Sequence, residues 1–237
     1  MVASSPFPAP RSDLVGRERE QQRLSALLNS VVSGQGRLIL IGGEAGIGKS
    51  ALVLELTAEA AIRGVSVLTG HCYDLGVTPP YGPWRELLAR LPSDDKLPLI
   101  PGALSDDGDP EPGGEAMLFR HALEILKAVS AKNAAIVVLE DLHWADPASL
   151  DLLRYLARHL PELPLLLIAT YRPDEVARSH PLSQLLPALV REAPTERIEL
   201  RRLDAQALRA LLADRYELAI EPEARLAAVP ARPSLAI

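Results

Sequence analysis

Cysteine is almost absent from this chain of 237 residues: Cys72 stands alone. One thiol excludes an internal disulfide framework and any cysteine-rich zinc site. Aromatic residues are scarce at 4%, and lysine is scarcer, with Lys49, Lys96, Lys127 and Lys132 set against 21 Arg. An arginine excess spread along the whole chain reads as the codon bias of a GC-rich genome, not as a functional cluster. Long apolar runs are missing too. The longest, at 38–41, 134–139 and 163–169, fall far short of the ~20 residues that span a bilayer. The first ten residues are Pro-rich and carry neither a charged leader nor an apolar stretch, so they do not read as a signal peptide. The cytoplasm is the expected compartment. A formal net charge of −6 argues against broad electrostatic binding of nucleic acid. What is present, 48% hydrophobic and 24% charged residues, suffices for one globular core, or one and a fraction.

The apolar pattern alternates between two periods. Leu14, Leu24, Leu27, Leu28 and Val31 recur at helical spacing, which predicts a helix over about 17–32, closed by Gly34 and Gly36. Short unbroken apolar runs predict buried strands at 38–41, 65–69, 134–139 and 163–169, with a weak fifth at 197–200. Helices are predicted over 50–62, 84–91 and 116–130, then from Pro147 to about His159, where Asp146 is a good N-cap and Pro147 suits the first helical position. Asp204 caps a further helix to about 213, and another begins at 222. The Pro, Gly and Asp mixture at 92–114 reads as a flexible surface insertion. Apolar strands alternating with helices predict an α/β fold with a parallel sheet covered on both faces. The strand C-termini then share one edge, where ligands bind.

Gly43-Glu44-Ala45-Gly46-Ile47-Gly48-Lys49-Ser50 lies between a predicted strand and a predicted helix and fits G-x-x-x-x-G-K-[ST] in full. The glycines let the backbone turn its N–H groups around phosphates, and the helix N-terminus adds positive potential. Lys49 would neutralise the β- and γ-phosphates, and Ser50 offers a hydroxyl to Mg²⁺. Downstream, four apolar strand residues (Ile136 to Leu139) run into Glu140 and Asp141, the form of a Walker B segment. One carboxylate would organise Mg²⁺ through its water shell, and the next would polarise the attacking water. Related motifs mostly begin with Asp. Glu140 in that place either sets the metal carboxylate further out or passes the metal role to Asp141. His143 reads equally as a γ-phosphate sensor or a structural residue, Trp144 as packing. The strand ending Ala169-Thr170-Tyr171 delivers Arg172 to the same edge. There an arginine resembles a sensor-1 group that reports hydrolysis through a charge-assisted hydrogen bond. His71 and Cys72, adjacent in sequence, read as structural.

Taken in order, Leu14-Val15-Gly16-Arg17-Glu18, the P-loop, Tyr81-Gly82-Pro83-Trp84, Leu139-Glu140-Asp141-Leu142-His143-Trp144-Ala145-Asp146-Pro147 and Ala169-Thr170-Tyr171-Arg172-Pro173 form a specific set. The set resembles the ATPase module of bacterial LuxR-type large ATP-binding transcriptional regulators. These belong to the signal-transduction (STAND-like) branch of AAA+ P-loop ATPases, also described as Orc-like AAA domains. The resemblance spans about residues 12–215. It implies a sheet of the additional-strand type, with the P-loop and Walker B strands separated by the sensor strand. It implies a switch in which ATP·Mg²⁺ binding favours an open, self-associating state and slow hydrolysis resets it. By the same analogy Gly43 to Ser50 bind nucleotide, Ser50 and Glu140 hold the metal, Glu140 and Asp141 handle metal and water, and Arg172 senses the γ-phosphate.

Such a protein would divide into an arm at 1–11, an ATPase core at 12–203 and the start of a helical lid at 204–237. After Arg225 the sequence departs from the family. Pro230 and Pro233 break the expected lid helix, and no helix-turn-helix follows. The expectation is a truncated module with no direct nucleic-acid binding of its own and no membrane contact. The competing reading is a remnant or interaction module that binds nucleotide weakly and does not signal.

Overall fold

A computed structural model describes residues 14–75, 79–91, 97–105, 114–131 and 133–216. The expected arm at 1–11, most of the 92–114 insertion and the helix expected from 222 lie outside the described residues. Contacts divide the chain into two units, Glu18–Arg202 and a smaller one that pairs the start of the chain with Leu203 onward.

The larger unit is built on five parallel strands in the order β2-β3-β4-β1-β5. These are β1 (Arg37–Gly42), β2 (Ser66–His71), β3 (Ala135–Glu140), β4 (Leu165–Tyr171) and β5 (Thr195–Glu199). The strand carrying the phosphate-loop motif and the strand carrying the two carboxylates are therefore separated by β4, as the additional-strand expectation requires. Every parallel neighbour needs a crossover, and helices supply them: α2 (Lys49–Ile62), α3 (Gly82–Ala89), α4 (Gly114–Ser130), α5 (Pro147–His159) and α6 (Pro181–Glu192), while α1 (Glu18–Val32) precedes β1.

Successive strand residues point to opposite faces. Leu38, Leu40, Val137, Leu139, Leu165, Leu167 and Ala169 join one core with the buried sides of α3 to α6, including Trp84, Leu126, Leu153 and Leu189. Ile39, Ile41, Ile136, Val138, Leu166 and Ile168 are fully buried on the opposite face. There α1 and α2 close the second layer with Leu24, Leu28, Leu52 and Leu56. At Gly70 the layers touch through backbone, since a Cβ there would lie 2.0 Å from the Pro83 carbonyl oxygen. Helix α3 can rest on β2 only because residue 70 has no side chain.

Differences from the expected elements have local causes. Helix α3 starts at Gly82, not near 84, because Pro83 is accommodated in its first turn. Strands β2 and β4 run two residues past their expected ends, to His71 and Tyr171, where the sheet still offers hydrogen-bonding neighbours. Helix α6 was not expected at all. It begins at Pro181 and contains Pro187, so the segment reads as loop, yet Leu182, Leu185 and Leu189 bury one face.

In the smaller unit, the Asp204 carboxylate accepts from the Ala207 N–H at 2.8 Å and opens α7 (Ala205–Tyr216), as its sequence predicts. Gly16, at φ +78°, closes a turn in which Arg17 N–H donates to the Leu14 carbonyl, and it packs against Ala207. Among the described residues no helix is long and apolar enough to cross a membrane.

Candidate functional site

Strand β1 delivers the chain at Gly42 into a loop that re-enters helix at Lys49. Within it Gly46 and Gly48 take φ of +69° and +104°. An L side chain is strained at both positions. Gly43 is confined from outside: a Cβ would fall 2.8 Å from the Ile47 side chain and 3.2 Å from Leu200. Lys49 is buried, and its ammonium donates to the carbonyls of Gly43 at 2.8 Å and Glu44 at 3.0 Å. Burial lowers its pKa, the Asp141 carboxylate opposes that shift, and the Arg172 guanidinium adds to it.

The next residue ties the two motifs together. The Ser50 hydroxyl donates to Glu140 Oε2 at 2.8 Å across the mouth of the sheet. Of the two sequence alternatives for the metal carboxylate, the geometry gives contact with Ser50 to Glu140, whose extra methylene spans the gap. The donor set fits magnesium. Adjacent oxygens of an octahedral ion at 2.0–2.1 Å lie about 2.9 Å apart, and water and phosphate oxygens normally fill the other positions.

Asp141 is in the left-handed region, at φ 56° and ψ 48°. A non-glycine residue there costs energy unless its surroundings fix it. Here its N–H donates to Thr170 Oγ1 at 3.0 Å, so the buried tip of β4 fixes the carboxylate that follows β3. Arg172 leaves β4 with its guanidinium 5.0 Å above the Trp144 ring, its Nε 4.0 Å from Asp141 Oδ1, and its Nη1 donating to Glu175. The Glu175 hydrogen bond raises the Arg172 pKa further.

Gly46, Gly48, Lys49, Ser50, Ala51, Asp141 and Arg172 line one cavity of about 220 Å³. Residues of three strand ends, distant in sequence, thus converge on one space. Gly43, Glu44, Ala45 and Ile47 belong to the loop but do not line the cavity. The Glu44 carboxylate turns outward to Arg202, 2.7 Å away. A larger cavity of about 380 Å³ lies between α5 and α6, away from this chemistry.

Asp146, His71 and Cys72 sit where their structural readings put them. Asp146 caps α5, accepting from the Ser149 N–H at 2.8 Å. His71 pairs with Glu86 at 2.9 Å, and Cys72 is buried. His143 is buried 4.6 Å from Trp144. Burial lowers its pKa, against the Asp141 and Glu175 carboxylates. Glu175 itself carried no sequence motif. The only hint was an acid three residues after a strand-end arginine, in a chain rich in both.

This arrangement of loop, carboxylate pair and strand order is that of a P-loop AAA+ fold. Residues 13–168 match the model of the AAA ATPase domain, and the chain belongs to that family. An uncharacterized protein of Rhizobium meliloti (strain 1021) is 30% identical over 251 residues, covering 92% of this chain and 22% of its own length. The chain therefore spans about a fifth of that relative. Among solved structures, Cdc6p from Pyrobaculum aerophilum is similar with TM-score 0.59 and 19% identity, over 90% of this chain and 52% of its own. A STAND protein with a tetratricopeptide repeat sensor from Pyrococcus horikoshii gives TM-score 0.51 and 20% identity, over 90% and 28%. AMPPCP-bound DnaA from Aquifex aeolicus gives 0.50 and 15%, over 89% and 54%. At these identities the likeness shows the fold.

Proposed function

We propose that this chain is the ATP-binding module of a nucleotide-dependent switch that hydrolyses ATP slowly with Mg²⁺. In this reading residues 12–203 are the ATPase core and 204–237 begin a helical lid. In complete form the module is part of a LuxR-type transcriptional regulator, acts in the cytoplasm, self-associates through the ATPase core and leaves DNA contact to other segments. The observation that carries the reading is the Ser50–Glu140 hydrogen bond, which joins the two motifs beside a cavity lined by Lys49, Asp141 and Arg172.

The backbone N–H groups of the loop from Gly43 to Ser50, with the first turn of α2, would receive the phosphates. Lys49 would exchange its two carbonyl partners for phosphate oxygens. Mg²⁺, held by Ser50 and Glu140, would offset the charge of the triphosphate. Asp141, fixed by Thr170, would orient the attacking water and accept its proton. Arg172 would meet the charge developing on the γ-phosphate. Every role except that of the magnesium falls to a group already lining the cavity or touching one that does.

Binding and turnover of ATP separate the roles. Asp141→Asn keeps the shape and removes the base, so it should bind ATP with Mg²⁺ like the wild type and lose turnover. Ser50→Ala should lose the Mg²⁺ dependence of binding. Turnover by Asp141→Asn equal to the wild type would remove Asp141 from the mechanism. Identical Mg²⁺ dependence in Ser50→Ala and wild type would remove the metal site.

A further inference from the structure

Glu175 faces two partners, one on each carboxylate oxygen, and holds only the first at hydrogen-bond distance. Its Oε1 accepts from Arg172 Nη1, while its Oε2 lies 3.4 Å from His143 Nε2. His143 is 3% exposed, and neither ring nitrogen makes a hydrogen bond among the described residues. A buried imidazole N–H without an acceptor is costly. Its cost falls if Glu175 moves a few tenths of an ångström closer. Arg172, meanwhile, lines the nucleotide cavity with its charge already spent on carboxylates: Glu175 in contact and Asp141 at 4.0 Å.

We propose that Glu175 is a positioning residue that competes with the γ-phosphate for Arg172 and is received by His143 when it loses. The proposal rests on the reading of Arg172 as the γ-phosphate contact. In the exchange Arg172 trades one anion for another, and Glu175 trades the guanidinium for the His143 Nε2–H. A neutral imidazole with its proton on Nε2 is sufficient, so no titration is required. No buried charge is stranded on either side, but Glu175 gives up a charged partner for a neutral one, so the exchange carries a cost. The net effect is a threshold: Glu175 discounts the affinity for a triphosphate and leaves that for a diphosphate untouched. His143 also touches α6: its carbonyl is 2.9 Å from Nε2 of His180, the N-cap of that helix.

The test compares affinities for a non-hydrolysable ATP analogue and for ADP, both with Mg²⁺, in the full chain. The variants are Glu175→Gln, Arg172→Ala and the two combined. Glu175→Gln weakens the tether and should tighten analogue binding about tenfold, with ADP unchanged, the scale of one charge-assisted hydrogen bond. Arg172→Ala should lower the preference for the triphosphate to the part that Lys49 and Mg²⁺ supply, and adding Glu175→Gln to it should then do nothing. If Arg172→Ala leaves the preference intact, the reading of Arg172 itself fails. If Arg172→Ala lowers it but Glu175→Gln leaves analogue affinity unchanged or weaker, the competition fails while Arg172 stands. An equal shift in ADP and analogue affinity would mark Glu175 as merely structural and also overturn the proposal.

Discussion

Replacing Asp146 with alanine should cost this fold about 1.5–5 kcal/mol, built from two contributions. The side chain is 8% exposed and serves two elements. Oδ1 accepts from the Ser149 N–H at 2.8 Å and from the Tyr81 N–H at 3.3 Å, and Oδ2 accepts from the Ser149 hydroxyl at 2.5 Å. Losing an N-cap costs ~0.5–2 kcal/mol. Leaving a buried N–H unsatisfied costs ~1–3 kcal/mol more. The Ser149 hydroxyl can rotate to another acceptor and adds little. Tyr81 adds to the loss despite its long bond, because it sits at φ 60° and needs an external hold. Urea unfolding reads the effect directly as a lower midpoint at constant m-value. Asp146→Asn keeps one acceptor and should cost about 1 kcal/mol. A loss below ~1 kcal/mol for alanine, or equal losses for both variants, would refute the assignment of Asp146 as a shared cap.

Further expectations concern packing and ionisation. Gly70→Ala should destabilise by at least ~1–3 kcal/mol, since its Cβ meets the Pro83 backbone and α3 must lift from β2; an unchanged urea midpoint would contradict that contact. Cys72 is pushed up to about 12, chiefly by burial and then by the Asp146, Asp141 and Glu86 carboxylates. Native protein at pH 8 should resist thiol reagents until urea unfolds it, and its contribution to stability should fade as pH rises from 9.0 toward about 12. Glu192 is held down to about 2 by hydrogen bonds from Arg154 and Arg158, which link α5 to α6. Its contribution is present above pH 4.5 and lost as pH falls toward 2. Glu192→Gln should flatten acid unfolding in that window, and an unchanged acid profile would count against the link.

The site was readable where chemistry forces a spacing. A phosphate loop needs glycines at fixed offsets and a lysine and hydroxyl at the helix start, so 43–50 announced itself. Two acids after four apolar strand residues did the same for Glu140 and Asp141. The choice between them was not readable, because it turns on reach: only the folded sheet shows Glu140 touching Ser50. Strand order was legible only through the resemblance, since the parallel pattern alone allows several orders. Helix α6 was hidden by Pro181 and Pro187. The first suits a helix start, and the second is tolerated because the leucines around it bury a face against the core. Glu175 and His143 meet through tertiary packing across 32 positions, for which neither periodicity nor spacing gives a sign.

The most direct test of the account is the affinity for ATP with Mg²⁺ of the wild type beside Lys49→Ala, measured by titration calorimetry under one set of conditions. Lys49 is the buried cation of the cavity, so its loss should weaken binding at least about a hundredfold, the cost of a buried charge-assisted contact. Wild-type binding no tighter than that of Lys49→Ala would contradict the claim that this cavity is a nucleotide site.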